Sequence, residues 1–201
     1  MHSRTRGSVP GAVVIGASAG GVEALLGLLA ALPPGFAAPV LVVLHRRADP
    51  GNGAPMLPSV LGRRCPLPVG EALDRQPLRG GEVLVAPADY HLMVDPGPVA
   101  ALSRDAPVHH CRPAVDPLFE SAADLFGPTL LALVLTGANA DGAAGAAAVR
   151  RAGGWLWVQQ PETARVSTMP QAALDRAGAD EILSLDTMAR RLQAVDFWSA
   201  T

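Results

Sequence analysis

The most constraining stretch is residues 11–25, GAVVIGASAGGVEAL. A short β-branched run, Ala12-Val13-Val14-Ile15, reads as a buried strand. Gly16 interrupts it, and Gly20-Gly21 leads into the helical pattern VEALLGLLAAL, with Ser18 in the turn between. Strand, tight turn and helix in this order place a hydroxyl at the positive end of a helix. Residues 16–20, GASAG, also fit G-x-S-x-G, a pattern in which small neighbours let a sharp turn expose a serine nucleophile.

Two other readings of the turn stay open at this point. A glycine-rich strand-to-helix turn is also a phosphate or nucleotide cradle, and it is also a plain structural turn. Against the cradle, G-x-G-x-x-G fails at Ser18, and the next strand ends in His45 where a ribose-binding acid would stand. No G-x-x-x-x-G-K-[ST] occurs.

The next apolar run, residues 39–44, PVLVVL, follows a helix closed by Pro33-Pro34-Gly35. Strand, helix and strand make a βαβ unit with parallel neighbouring strands. Ser18 and His45 then lie at the carboxyl ends of adjacent strands, the edge where open α/β sheets place their sites. A third buried strand, residues 130–135, LLALVL, precedes TGANADG and an alanine-rich helix. In a doubly wound sheet it falls on the other side of the first strand, which brings Asp141 to the same crevice. The expected fold is therefore α/β: a Rossmann-like, doubly wound, mainly parallel sheet with helices on both faces. Residues 91–94 and 99–102, separated by DPGP, add a β-hairpin as an insertion into or extension of that sheet.

Smaller elements fill the rest. A loop over residues 46–58 runs into a short helix ending near Gly62, and loops this long are often lids or partner surfaces. Short strands are expected over 67–69 and 82–86, and a helix capped by Asp116 is expected to close at Gly127-Pro128. Trp155 and Trp157 alternate on another strand and should pack on one side. Residues 1–10 read as a disordered N-terminal tail and residues 11–195 as a single domain.

The chain's 201 residues are 49% hydrophobic and 17% charged, with a net charge of −2 and no basic block. That supplies a core and argues against nucleic acid as a main partner. Two cysteines, Cys65 and Cys111, make no disulfide framework. No secretory signal and no run of membrane-spanning length is evident, so a cytoplasmic protein that is not membrane-inserted is expected.

Serine is a weak nucleophile alone, so Ser18 needs a base and the base an orienting group. His45 and Asp141 meet those demands in position. Each has a plainer role open to it: Ser18 and Asp141 as helix caps, His45 as an ordinary strand-end side chain. The segment VHHCRP, residues 108–113, lacks the spacing of a zinc site and reads as a loop beside the crevice. His91 reads as structural.

Taken together, GASAGGVEAL, VLVVLH, GEVLVAPADYHLMV, RPAVDPLFESAA, LVLTGANADGAAGAAAVRRAGG and QQPETARVSTMPQAAL resemble, in this order, the catalytic domain of chemotaxis protein-glutamate methylesterases of the CheB type. The resemblance runs from about residue 12 to 192. It implies hydrolysis of γ-glutamyl methyl esters on the cytoplasmic helices of methylated chemoreceptors, and in some members glutamine deamidation. Ser18 matches the family nucleophile, His45 its base and Asp141 its orienting acid, in two-step acyl transfer without metal or cofactor. Ala19 and the Gly137, Ala138, Asn139 loop are candidate oxyanion donors.

The departures are Arg46 and Arg47, where the family commonly has methionine and proline, and Ala138, where it commonly has methionine. The two arginines would favour an acidic target surface. Many relatives also carry an amino-terminal receiver domain. The sequence starts at the catalytic domain; if it is the complete chain, the expectation is no regulation, control by a separate regulatory protein, or service in a sensory pathway other than flagellar chemotaxis. The competing expectation is a catalytically impaired receptor-binding or adaptor module that kept the fold.

Overall fold

The computed structural model describes residues 10–46 and 56–194. The expected tail, apart from Pro10, and Arg47 lie outside the described residues, as does most of the 46–58 loop. Alternating apolar runs and amphipathic segments give the order β1 (Ala12–Ala17), α1 (Gly21–Leu29), β2 (Val40–Leu44), α2 (Met56–Gly62), β3 (Val69–Glu71), β4 (Val83–Val85), β5 (His91–Asp95), β6 (Val99–Ser103), α3 (Val115–Phe126), β7 (Leu130–Val134), α4 (Ala143–Arg151), β8 (Trp155–Gln159), α5 (Thr168–Ala177), β9 (Glu181–Leu183) and α6 (Leu185–Gln193).

Seven strands pair in the order β3-β4-β2-β1-β7-β8-β9. Every pairing in this sheet is parallel. β1 is central, with β2 on one side and β7 on the other, so the winding reverses across it. Both faces of β1 are buried because its side chains alternate between two cores. Ala12 and Val14 pack with α3, α4 and α5 through Leu118, Phe119, Val149 and Met169. Val13 and Ile15 pack with α1 and α6 through Leu25, Leu28, Met188 and Leu192. Strands buried on two faces read as continuous apolar runs, which is why VVI, VLVVL and LLALV carry no period-2 alternation. Trp157 is fully buried and Trp155 packs partly buried against the same core, as expected for one strand face.

Four expectations need correction. The hairpin does not join the parallel sheet; β5 and β6 form their own two-stranded antiparallel sheet, stacked against α3. Strand β3, expected over residues 67–69, begins two residues late, at Val69. Leu67 is a core side chain, and the ladder opens with Val83 N–H donating to the Pro68 carbonyl. Helix α1 ends at Leu29, and i→i+3 bonds from Ala31 and Leu32 tighten the chain before Pro33. Asp116 is not the cap of α3; Ala114 holds that position and Asp116 sits in the first turn.

Candidate active site

Register places the first two residues. Ala17 pairs with Leu44, the last residues of β1 and β2, so Ser18 and His45 each follow a paired couple. Neighbouring strands lie ~4.8 Å apart, so the two side chains leave the same sheet edge side by side. His45 N–H donates to the Ala17 carbonyl at 3.1 Å and Ser18 N–H to Thr136 at 2.9 Å. Ser18 is half-buried and Ala19 exposed. Ser18 caps nothing: the N-cap of α1 is Gly20, at φ 78°, without a side-chain bond.

The turn after β7 completes the cluster. Asp141 is fully buried, and its Oδ2 lies 2.6 Å from His45 Nε2. The same oxygen accepts from Val115 N–H at 2.6 Å, and Oδ1 accepts from Asp116 N–H at 3.0 Å and Gly142 N–H at 2.9 Å. Asp141 therefore serves the N-terminus of α3 from across the fold. The α4 N-cap is Gly142, with no side-chain cap. Asp116 returns the service, accepting from Gly145 N–H in the first turn of α4 at 2.7 Å. The two acids cap each other's helices, and each is favoured there by a positive helix end.

The two carboxylates are tuned in opposite directions. Burial pushes Asp141 up, but the His45 bond and the Val115 and Asp116 amides outweigh it and hold the carboxyl below its ordinary value. Burial pushes Asp116 above the usual carboxylate range, with Asp141 adding to the rise and the Gly145 amide opposing it. An ionised Asp141 only accepts, so the proton on the bonded nitrogen belongs to His45 Nε2–H. The lone pair is then on Nδ1.

Nδ1 is not hydrogen-bonded to Ser18 in this structure. Among the described residues it faces the Cys111 thiol, Sγ to Nδ1 being 3.5 Å. Ser18 Oγ makes no hydrogen bond to His45; such contacts often tighten only once substrate is bound. Cys111 reaches His45 from a two-residue hairpin, Val108 and Cys111 exchanging both backbone bonds across His109 and His110. Both histidines have positive φ, 49° and 62°. A type I′ turn needs that conformation at its two central residues, and it costs a non-glycine residue about 1–3 kcal/mol. The segment expected beside the crevice is therefore against the base itself. Nothing local in the sequence marks this approach.

The flanking candidates divide. Ala19 and Ala138 are exposed, and their N–H groups have no protein partner among the described residues. Gly137 is different: its N–H donates to Val166 at 3.0 Å, which removes it as an oxyanion donor. A Cβ on Gly137 would lie 2.9 Å from Ser18 Cβ and 1.9 Å from Met169 Sδ, so the residue is needed for close approach. The Asn139 side chain is occupied, accepting from Asp141 N–H at 3.2 Å and donating to Cys111 Sγ at 3.4 Å. Arg46 pairs with Glu71 and donates to the Ala86 carbonyl at 3.1 Å. Its charge is largely answered within the fold, which weakens the expected attraction for an acidic surface. Arg47 lies outside the described residues.

Two positioning groups carry no motif. Thr136 Oγ1 donates to the Ala19 carbonyl at 2.8 Å and accepts from Val166 N–H at 2.9 Å. Gln159 Oε1 accepts from Thr136 N–H at 2.8 Å. Both are buried, and together they fix the peptide that follows Ser18. His91, by contrast, is structural: Nε2 meets the Ala106 carbonyl at 3.2 Å and Nδ1 accepts from Ala114 N–H at 3.2 Å. A cleft of about 490 Å³ opens beside the cluster, lined by His45, Arg46, Asp89, His110, Cys111 and Arg112. Among the described residues no helix is long and apolar enough to cross a membrane.

Similarity to known proteins covers most of the chain. The CheB methylesterase family profile matches residues 13–192. The Thermotoga maritima CheB methylesterase catalytic domain superposes with a TM-score of 0.84 at 32% identity, over 92% of this chain and 98% of that one. A protein-glutamate methylesterase/protein-glutamine glutaminase of Anaeromyxobacter dehalogenans is 42% identical over 90% of this chain. One from a Nocardioides strain is 43% identical over 86%. The chain spans only 52% and 47% of those two proteins. A Leptospira interrogans protein that carries the same name provisionally is 35% identical over 92% of this chain and 94% of its own length. The chain belongs to the CheB methylesterase family.

Proposed function

We propose that the chain is a serine hydrolase that removes methyl groups from γ-glutamyl methyl esters on the cytoplasmic helices of chemoreceptors. The same acyl chemistry would deamidate glutamine there. The observation that carries the reading is the 2.6 Å His45–Asp141 pair, at the strand edge where Ser18 emerges.

In this reading Asp141 holds Nε2–H, and Nδ1 takes the Ser18 proton as Oγ attacks the ester carbonyl. Ala19 N–H, and Ala138 N–H in the facing loop, stabilise the oxyanion. The imidazolium protonates the departing methoxide, which leaves as methanol. Water, activated by the returned base, then hydrolyses the glutamyl-enzyme. Ser18 must take the place of the Cys111 thiol at Nδ1 for the first step.

Methanol release from methylated chemoreceptor cytoplasmic fragments tests the reading, comparing wild type with Ser18→Ala. Loss of a triad nucleophile costs a factor of ~10⁴ or more in rate. Release by wild type and none by the variant is expected. No release by either folded protein on several receptors would overturn the reading in favour of a binding module. Ammonia release from glutamine-bearing fragments reads the deamidase in the same way.

A further inference from the structure

Cys111 has no part in the chemistry proposed above, yet it occupies the nitrogen that chemistry depends on. Its Sγ lies 3.5 Å from His45 Nδ1, and the opposite nitrogen is held by Asp141 at 2.6 Å. The order thiol, imidazole, buried carboxylate is that of an activated nucleophile: a base within reach, and a third group orienting the base. Asn139 Nδ2 donates to the sulfur at 3.4 Å, a contact that favours negative charge developing there. The thiol is half-buried and borders the cleft of about 490 Å³, so a small reagent has an entry path. The strained turn at His109 and His110 holds the sulfur in place.

We propose that Cys111 is a modification site for small soft electrophiles, that it uses His45 as its base, and that its modification shuts the esterase. The second half rests on His45 being the catalytic base. With a haloacetamide the balance is simple. His45 Nδ1 takes the S–H proton, sulfur attacks the methylene carbon, the S–C bond forms and the C–I bond breaks. Iodide leaves, and the imidazolium returns its proton to water. Burial and the nearby Asp141 keep the resting thiol protonated, so a base is required for this step. The adduct then occupies the space at Nδ1 and denies that nitrogen to the serine.

Cys65 serves as an internal reference. It is the other free thiol, half-buried, and burial raises it as well. Iodoacetamide labelling of the full chain, followed by peptide mass spectrometry, gives both rates in one sample. Cys111 is expected to react at least tenfold faster than Cys65, and faster in the folded chain than in urea, where the two thiols should be equal. His45→Gln should bring Cys111 down to the Cys65 rate and leave Cys65 unaltered. Methanol release by wild type should fall in proportion to Cys111 labelling. A folded-state rate at Cys111 no higher than that of Cys65 or of the unfolded chain would overturn the site. So would a fast rate that His45→Gln does not change. Full labelling with methanol release intact would overturn the gate. The labelling rates need no ester hydrolysis, so failure here is separable from failure of the esterase reading.

Discussion

At the scale of single residues, the site depends on hydrogen bonds that fix groups rather than react. Thr136 illustrates this. Its hydroxyl ties the Ala19 carbonyl to the 166 backbone and so sets the direction of the peptide after Ser18. Thr136→Val keeps the shape and removes the hydroxyl, taking a partner from the half-buried Val166 amide and from the Ala19 carbonyl. That should cost about 0.5–1.5 kcal/mol of stability. It should also lower kcat more than it raises KM, because the misaligned peptide matters once charge develops on the oxyanion. Thr136→Ser should recover most of both losses. Equal kcat in Thr136→Val and wild type, by steady-state methanol release, would remove Thr136 from the positioning set.

Helices α3 and α4 form the element that holds the acid. They exchange caps through Asp141 and Asp116, and they pack closely enough that Gly145 has no room for a side chain. A Cβ there would lie 2.5 Å from Phe119 Cβ and 3.2 Å from the Asp116 carbonyl oxygen. Two effects compete in Gly145→Ala. Helix propensity favours alanine by about 0.5–1 kcal/mol, whereas forced overpacking costs about 1–3 kcal/mol. The clash is with the root of a side chain and with backbone, which yield little, so destabilisation should win. Gly27 in α1 is the control, exposed and with nothing within 4 Å of its Cβ direction. Gly27→Ala should stabilise by about 0.5–1 kcal/mol. Urea midpoints of the two variants should therefore move in opposite directions, and a shared direction would contradict the packing argument.

For the whole molecule, the paired acids write themselves into the pH dependence of stability. Asp141 has a folded value below its unfolded one, near 3.9. Its contribution is complete above that value and is lost as pH falls through the folded value. Asp116 is raised, so its contribution is complete below the ordinary value and is lost as pH rises through the folded one. Asp141→Asn should cost ~1.5–3 kcal/mol near neutrality, the worth of hydrogen bonds to a charged acceptor, and the gap from wild type should narrow below about pH 4. Asp116→Asn should be far milder near neutrality, because a neutral amide still accepts from Gly145 without the burial penalty. Urea unfolding of the three proteins between pH 3 and 8 checks both signs.

Much of this molecule was legible in the order of its residues. Parallel strands alternating with helices leave few topologies, so Ser18, His45 and Asp141 could be assigned to one sheet edge from three apolar runs and the turns after them. What tertiary structure alone decided lies in contacts between distant positions. Asp141 reaches His45 across 96 residues and Cys111 reaches it across 66. Local pattern records which residues leave a strand end, not which neighbours meet them there. The cap on α3 thus came from Asp141 rather than Asp116, the Gly137 amide went to Val166, and Arg46 turned to Glu71. The hairpin left the main sheet because its inward side chains bury against α3. Alternation reads out a strand, but its partner is chosen by the surface left uncovered once the other elements have packed.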